Sequence, residues 1–410
     1  MQNFWTLLKR EFKLFWQNKV LRLLFIGAPL LYGILLGYVY GKGKVTDLPI
    51  VVVDEDRSEM SAKVLQMFDD NEVLNITSLL YDQNNLSQIA IEKEAACVVI
   101  IPKGFEKMVL TKKYPEIVTI VNTSNVLTAN YASGALQLCL GTLKTGVQIE
   151  TLRKQGIPEK LLATQYEPFK TTFIKKNNRS TNYMYFLWPG VLAAVLQQVL
   201  LLGLALSFAS EYENDTFKKL VKKSPSLLKL MSVKIIPYLV MSFGLWLLFW
   251  LFTFWFRIPF YDNLLPLTFV AGIFVLSVCF IGILVSIMIP NQLKATEILM
   301  VIATPSFILS GFTWPLSQMP VWVQGIANCI PLTHFLKAFR VLIIEDGTLP
   351  QTTGSIWNMV IIGTICGVLS YIALYFKRKS VLSFISTTFD CSIILSKDFE
   401  MRFCRCDTMS

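Results

Sequence analysis

Six stretches of this chain carry no charged residue and are about long enough to cross a bilayer, and they restrict the possible folds more than anything else in the sequence. They cover 23–40, 184–209, 235–256, 265–289, 298–314 and 356–376. A hydrocarbon core roughly 30 Å thick needs about 20 apolar residues at 1.5 Å per residue. Inside it every backbone N–H and C=O has to be paired within the chain, so runs of this kind become helices. The fifth run is the shortest and passes into an apolar stretch broken by Gly and Pro. Apolar side chains make up 53% of the chain and charged ones only 16%, too apolar for a soluble protein of 410 residues. The fold class that follows is an α-helical polytopic membrane protein with six transmembrane helices. No small-residue cleavage site follows the first run, which is longer than a signal-peptide core, so it reads as a retained anchor.

The formal charge of +10 raises nucleic acid as a partner, but the cations cluster beside the apolar runs instead of forming a basic surface. Lys9, Arg10, Lys13, Lys19 and Arg22 precede the first run. Lys218, Lys219, Lys222, Lys223, Lys229 and Lys234 fill the connection between the second and third, and Lys377, Arg378 and Lys379 follow the last. The short connections on the other side carry only Arg257, or Lys337 and Arg340. The positive-inside rule therefore predicts a multi-pass protein of the cell (inner or plasma) membrane with both termini cytoplasmic and no nucleic-acid partner.

Domain organisation follows from changes of pattern along the chain. Residues 1–22 place Phe4, Leu8, Phe12 and Phe15 at helical spacing, with Trp5 and Trp16 beside them, which predicts an interfacial helix on membrane lipid. After the span at 23–40, residues 41–183 predict an inserted extracytoplasmic α/β domain. Its expected strands are 50–53, 97–101 and 117–121, its expected helices 58–68, 86–96 and 104–113. A long Ala-, Leu- and Thr-rich helix over 125–154 either packs on the sheet or projects as a stalk, and the polar 156–180 leads back to the membrane. Residues 184–379 hold the other five spans. Their connection 210–234 is polar, and Asp215 or Thr216 can cap a short helix with Phe217, Leu220 and Val221 on one face. That helix is either a surface for a cytoplasmic partner or a solvated hairpin. Pro315, Pro320 and Pro331 break 311–340, which predicts a re-entrant pair of helices. The tail 380–410 shows no period and reads as a mobile cytoplasmic end.

Catalytic chemistry is sparse. Gly141 and Gly146 have phosphate-loop spacing, but Val147 and Gln148 stand where Lys and Ser or Thr are needed, so the chain binds no nucleotide of its own. A single histidine, His334, excludes a multi-histidine metal centre. It satisfies a local hydrogen bond or serves a proton-linked role. Of eight cysteines, Cys97 and Cys139 both fall in the inserted domain, where a disulfide is chemically possible. Gln197 and Gln198 are the clearest polar groups at mid-span, lining a pathway or joining helices as polar glue. Lys294 and Glu297 lie at the edge of the fifth run. With no intramembrane carboxylate and no internal repeat, transport by this chain would need energy from another subunit.

Several segments together resemble the permease subunit of an ABC-2 type exporter with a large extracytoplasmic domain, over roughly residues 1–379. Residues 5–19 (WTLLKREFKLFWQNK) are similar to that family's amphipathic connecting helix. Residues 48–58 (LPIVVVDEDRS) and 98–105 (VVIIPKGF) are similar to strand motifs of its outer domain. Residues 211–220 (EYENDTFKKL), Ser224 with Pro225, and 234–238 (KIIPY) resemble its E-x-E-x-G-T-[LF] coupling segment, with Asp215 in place of the usual glycine. Gly311 to Pro315 and Met319 to Arg340 resemble its re-entrant segment.

The resemblance implies a six-span half-transporter that forms a homodimer or a heterodimer with a sister permease. It also implies an ABC ATPase subunit as partner, with ATP and Mg held there and no cofactor on this chain. Glu211, Glu213, Thr216, Phe217 and Leu220 would then be the coupling residues, Phe217 and Leu220 docking into an ATPase groove. Gln197, Gln198, Gly311, Pro315, Pro331 and His334 are the candidate pathway residues, and an extracytoplasmic adaptor is a further expected partner. The expected function is export of hydrophobic or amphiphilic compounds. A membrane-anchored sensor that displays 41–183 is the alternative, and an ion channel ranks third for want of a charged or carbonyl-rich ring.

Overall fold

A computed structural model of the chain describes residues 4–159, 177–178, 181–224, 226–258 and 263–403. Its contacts divide it into two units, 1–41 with 176–410, and 42–175. Helix α1, Phe4–Gln17, ends where Asn18 turns the chain and caps α2, Lys19–Val39, accepting from the N–H groups of Val20 and Leu21. A π-turn at Leu23–Gly27 is built into α2.

The inserted unit is a four-stranded sheet of β1 (Leu48–Asp54), β2 (Leu74–Leu80), β3 (Cys97–Ile101) and β4 (Val118–Val121), in the order β2-β1-β3-β4. β1 runs parallel to β2 and β3, and β4 antiparallel to β3. Between them lie α3 (Glu59–Asp69), α4 (Leu86–Glu92) and α5 (Phe105–Leu110), and α6 (Val126–Lys154) follows β4. The unbroken Val and Ile runs of β1 and β3 reflect cover on both faces. Ile50, Val52, Val99 and Ile101 pack under α3 and the first half of α6, through Val64, Phe68, Ala132 and Leu136. Val51, Val53, Val98 and Ile100 face Leu86 and Ile89 of α4. Asp54 is spent on the turn after β1, accepting from the N–H groups of Asp56 and Arg57 and the Ser61 hydroxyl.

Strand β2 is absent from the sequence reading because Asn75, Thr77 and Ser78 interrupt its apolar residues. As an edge strand it buries only Leu74 completely. Helix α6 packs on the sheet through Ala129, Ala132, Ala135, Leu136 and Cys139, while residues 140–154 contain no fully buried side chain. Cys97 and Cys139 are both free and buried, with no disulfide between them.

The other unit contains α7 (Tyr183–Glu213), α8 (Phe217–Lys223), α9 (Leu227–Trp255), α10 (Leu264–Met288) and α11 (Gln292–Leu309). After them come α12 (Val321–Asn328), α13 (Pro331–Phe339) and α14 (Thr353–Phe403). Among the described residues, six helices are long and apolar enough to cross a membrane: α2, α7, α9, α10, α11 and the one within Leu349–Ser380. The protein is a polytopic membrane protein with an inserted α/β domain. Helix α7 is the most enclosed of these helices. Side chains approach its backbone closely at Gly203, where a Cβ would lie 2.8 Å from the rings of Phe25 and Tyr238, and the Tyr238 hydroxyl donates to the Gly203 carbonyl at 2.8 Å. Helices α12 and α13 meet at 87°, the bend expected of a broken or re-entrant pair.

Several boundaries differ from the sequence reading. Helices α7 and α9 outrun their apolar cores, so Glu211 and Lys234, expected in a loop over 210–234, lie inside helices. The fifth helix starts at Gln292 because Asn291 caps it, leaving Lys294 and Glu297 exposed in its first turns. The tail, in which the sequence shows no period, continues α14 to Phe403. Residues 160–176 of the polar return segment, Pro225, Cys404 and Cys406 lie outside the described residues.

Candidate functional site

Four charged side chains from α1, α7 and α9 converge at one end of the bundle. On α1, the stripe facing α9 is Leu7, Leu8, Glu11 and Phe15, so a carboxylate sits in the middle of a buried apolar face. Helix α7 brings Glu211 in its last turn, and α9 brings Lys234 two turns from its start. Lys234 Nζ donates to Glu211 Oε1 at 2.8 Å, to Glu11 Oε2 at 2.8 Å and to the Ser207 carbonyl at 3.2 Å, so each ammonium proton has an acceptor. Arg10 Nη2 reaches both oxygens of Glu211 at 2.8 and 3.0 Å, and its Nη1 donates to Glu11 at 3.1 Å. The Thr216 hydroxyl closes the set on Glu211 Oε2. The cluster is neutral in sum, with Glu211 and Lys234 only 2% and 4% exposed. Buried charges persist only when paired and hydrogen-bonded this completely.

The turn from α7 into α8 depends on Asp215, whose φ of 52° is left-handed. Asp tolerates this conformation because its short polar side chain bonds locally, so the residue standing in the usual glycine position keeps the glycine geometry. Thr216 occupies the N-cap position of α8 but gives its hydroxyl to Glu211 instead of to its own helix. Phe217, Leu220 and Val221 form the predicted apolar face, but that face is buried in the chain's own core. The Phe217 ring lies 4.6 Å from that of Tyr212 and 6.4 Å from that of Phe208. Phe217 and Leu220, expected to dock into another subunit's groove, are each 3% exposed within this chain and belong to its own core. The outward face of α8 carries Lys218, Lys219, Lys222 and Lys223.

Glu213 points away from the cluster and accepts from the side chains of Asn291 and Gln292, tying α7 to the start of α11. One turn before Glu211, the Ser286 hydroxyl of α10 accepts from the N–H groups of Phe208 and Ala209 and donates to the Ala205 carbonyl. It thus inserts into the hydrogen-bond ladder of α7, a recognised cause of helix bending. A recess of about 460 Å³ adjoins the cluster, with Asn18, Ser210 and Asn214 on its walls beside the charged groups and Leu14, Leu21 and Leu206 among its apolar ones.

The remaining candidates are dispersed. Gln197 is buried with its Oε1 unpartnered among the described residues, and Gln198 is half-buried. Gly311 has φ +76° and Arg340 donates to the carbonyl beside it, that of Phe312, at 3.1 Å. Pro315 is exposed and Pro331 opens α13. His334 Nε2 lies 2.9 Å from the Asn328 carbonyl and Nδ1 3.4 Å from Asn358 Nδ2, so the ring braces the α12–α13 bend, the local role the sequence allowed. An apolar pocket among Trp188, Leu196, Trp246, Phe249, Trp250 and Phe335 holds about 60 Å³, well under the roughly 300–1,000 Å³ of a drug-sized site.

Residues 19–372 match the description of the ABC-2 family transporter proteins. The chain belongs to the ABC-2 transporter family. It is 24% identical over 386 residues to the probable multidrug ABC transporter permease YbhR of Escherichia coli K12, covering 92% of this chain and 98% of that one. It is 24% identical over 330 residues to the probable multidrug ABC transporter permease YbhS of the same organism, covering 77% and 82%. The linearmycin resistance permease protein LnrN of Bacillus subtilis is 22% identical over 385 residues, covering 85% and 90%. For this ABC-2 family chain the sequence reading found Glu211 and Thr216 but missed Arg10, Glu11 and Lys234 as their partners. Arg10 and Lys234 enter the sequence reading as orientation charges and as parts of the connecting-helix and KIIPY motifs, with no pairing between them and Glu211. The available signal was Glu11, one turn from Leu7 and Leu8 and one from Phe15, on the face that packs.

Proposed function

We propose that this chain is the permease subunit of an ABC exporter that moves hydrophobic or amphiphilic compounds out of the cytoplasm or the inner leaflet, driven by separate ATPase subunits that hold ATP and Mg. The observation that carries the reading is α8: a short helix with a lysine-rich outward face and an apolar face rooted on α7, beside a cluster that joins α1, α7 and α9. A force applied to the lysine face passes through Phe217, Leu220 and Val221 into α7. The four charges make α1, α7 and α9 move as one block, a rigid-body shift of the kind that opens or closes a path. The names of the permeases it is similar to support export of drug-like compounds.

In this reading both termini and α8 face the cytoplasm of a multi-pass protein of the cell membrane, and the α/β domain lies outside, where an adaptor can meet it. Because the pocket among the tryptophans is too small for cargo, the conduit forms between two permease copies, identical or sister. The test is copurification with the products of neighbouring genes. Charge reversal of Lys218, Lys219, Lys222 and Lys223 to Glu should release a chain carrying a Walker A motif while leaving thermal stability unchanged. Phe217→Ala should lower stability directly. Recovery of the chain alone under every condition, with full stability, would refute the exporter and favour a sensor.

A further inference from the structure

We propose that the inserted α/β domain has its own binding site for an anionic amphiphile, in the groove between the second half of α6 and the segment from α5 through the loop 111–117. The groove has a volume of about 750 Å³, inside the range of roughly 300–1,000 Å³ for sites that enclose drug-sized ligands. Past Cys139, α6 has no fully buried side chain: Leu140 and Leu143 still touch the edge of the core, and Val147 and Leu152 carry the apolar stripe on beyond it. Phe105, Val109, Tyr114 and Ile117 form the opposing wall.

Charge selects among apolar ligands. Lys112 and Lys144 line the groove, no carboxylate does, and neither lysine makes an ion pair among the described residues. Apolar walls with two unanswered cations fit a long apolar body with one acidic head, and a neutral lipid would leave both cations without a counter-charge. Gln148, Thr151 and Gln155 are the other polar residues of the lining, and a sugar or nucleotide would still leave most of its polar groups against Leu and Val. Lys112 is fixed on the rim by the cap that ends α5: at φ 56° it takes the left-handed conformation, its N–H donating to the Val109 carbonyl at 3.1 Å and that of Lys113 to the Met108 carbonyl at 2.9 Å.

The proposal rests on the exporter reading only in making cargo the natural occupant. Its test measures binding and not export, so the two can fail separately. The full chain would be placed in phosphatidylcholine nanodiscs and titrated with dansyl-undecanoic acid, with the matching uncharged dansyl alcohol as control. The expected result is saturable fluorescence enhancement of one probe per chain above the empty-disc signal, with the alcohol bound about tenfold more weakly, the loss of up to two ion pairs. Lys112→Gln with Lys144→Gln should weaken the acid about tenfold and leave the alcohol unchanged. Val147→Glu, at a half-buried position, should abolish both, and Leu138→Glu, exposed and outside the groove, should change neither. Equal binding of acid and alcohol, or binding indifferent to all these substitutions, would overturn the proposal. So would protection of Lys112 and Lys144 from amine labelling by self-association without probe, which would assign the groove to a second copy.

Discussion

Replacing Lys234 with Met keeps much of the side-chain volume but removes the ammonium that serves Glu211, Glu11 and the Ser207 carbonyl. Two carboxylates, 2% and 9% exposed, are then left with one guanidinium between them. Removing one partner from a buried, fully bonded charge set costs about 3–5 kcal/mol, because the remaining charge stays buried without compensation. Glu211→Gln belongs to the same class, at about 3 kcal/mol, since Lys234 and Arg10 then share Glu11 alone. The double variant leaves a neutral Arg10–Glu11 pair and should cost about as much as Lys234→Met by itself. The two single effects thus exceed the double by about 3 kcal/mol. Arg10→Ala should cost only about 1 kcal/mol, because its guanidinium is 31% exposed and water replaces much of what it supplies. Unfolding in mixed micelles by SDS titration, followed through the nine tryptophans, provides the four free energies. Single costs below about 1 kcal/mol, or additivity within about 0.5 kcal/mol, would refute the buried cluster.

Three further outcomes are expected. Asp215→Gly should raise stability by up to about 1 kcal/mol and Asp215→Val lower it by about 1–2 kcal/mol, since φ 52° strains a β-branched residue most; equal melting temperatures would contradict the left-handed turn. Gly311→Ala should cost about 1–3 kcal/mol, because φ is +76° and the new Cβ would lie 2.5 Å from Leu316 Cγ. Leu316→Ala added to it should recover only the steric share, and full recovery would show that the backbone is unstrained. Burial pushes the Cys97 thiol from 9.0 up to about 12. The folded domain therefore keeps a proton that the unfolded chain releases, and its stability should fall as pH rises from about 9, by at most about 1.4 kcal/mol per pH unit. Melts at pH 8 and 10 with and without Cys97→Ala test this. Alkylation of both Cys97 and Cys139 in denaturant without reductant checks that neither is oxidised.

Composition and local pattern were enough to determine the membrane class, six spans, an inserted α/β domain and a short amphipathic helix after Glu211. These depend on constraints that act within one segment. Backbone groups in hydrocarbon have to pair inside a helix, and a buried strand or an amphipathic helix shows its period in consecutive residues. The tertiary structure alone decided what those segments meet. Strand β2 hid behind its polar residues, and its place at the edge beside β1 depends on a partner. Phe217 and Leu220 looked like a docking face, and only the position of α8 against α7 shows them facing inward. Arg10 and Glu211 are 201 residues apart in the chain and 2.8 Å apart in space. No spacing encodes that pairing, because it exists only once three helices have packed and excluded water from the charges between them.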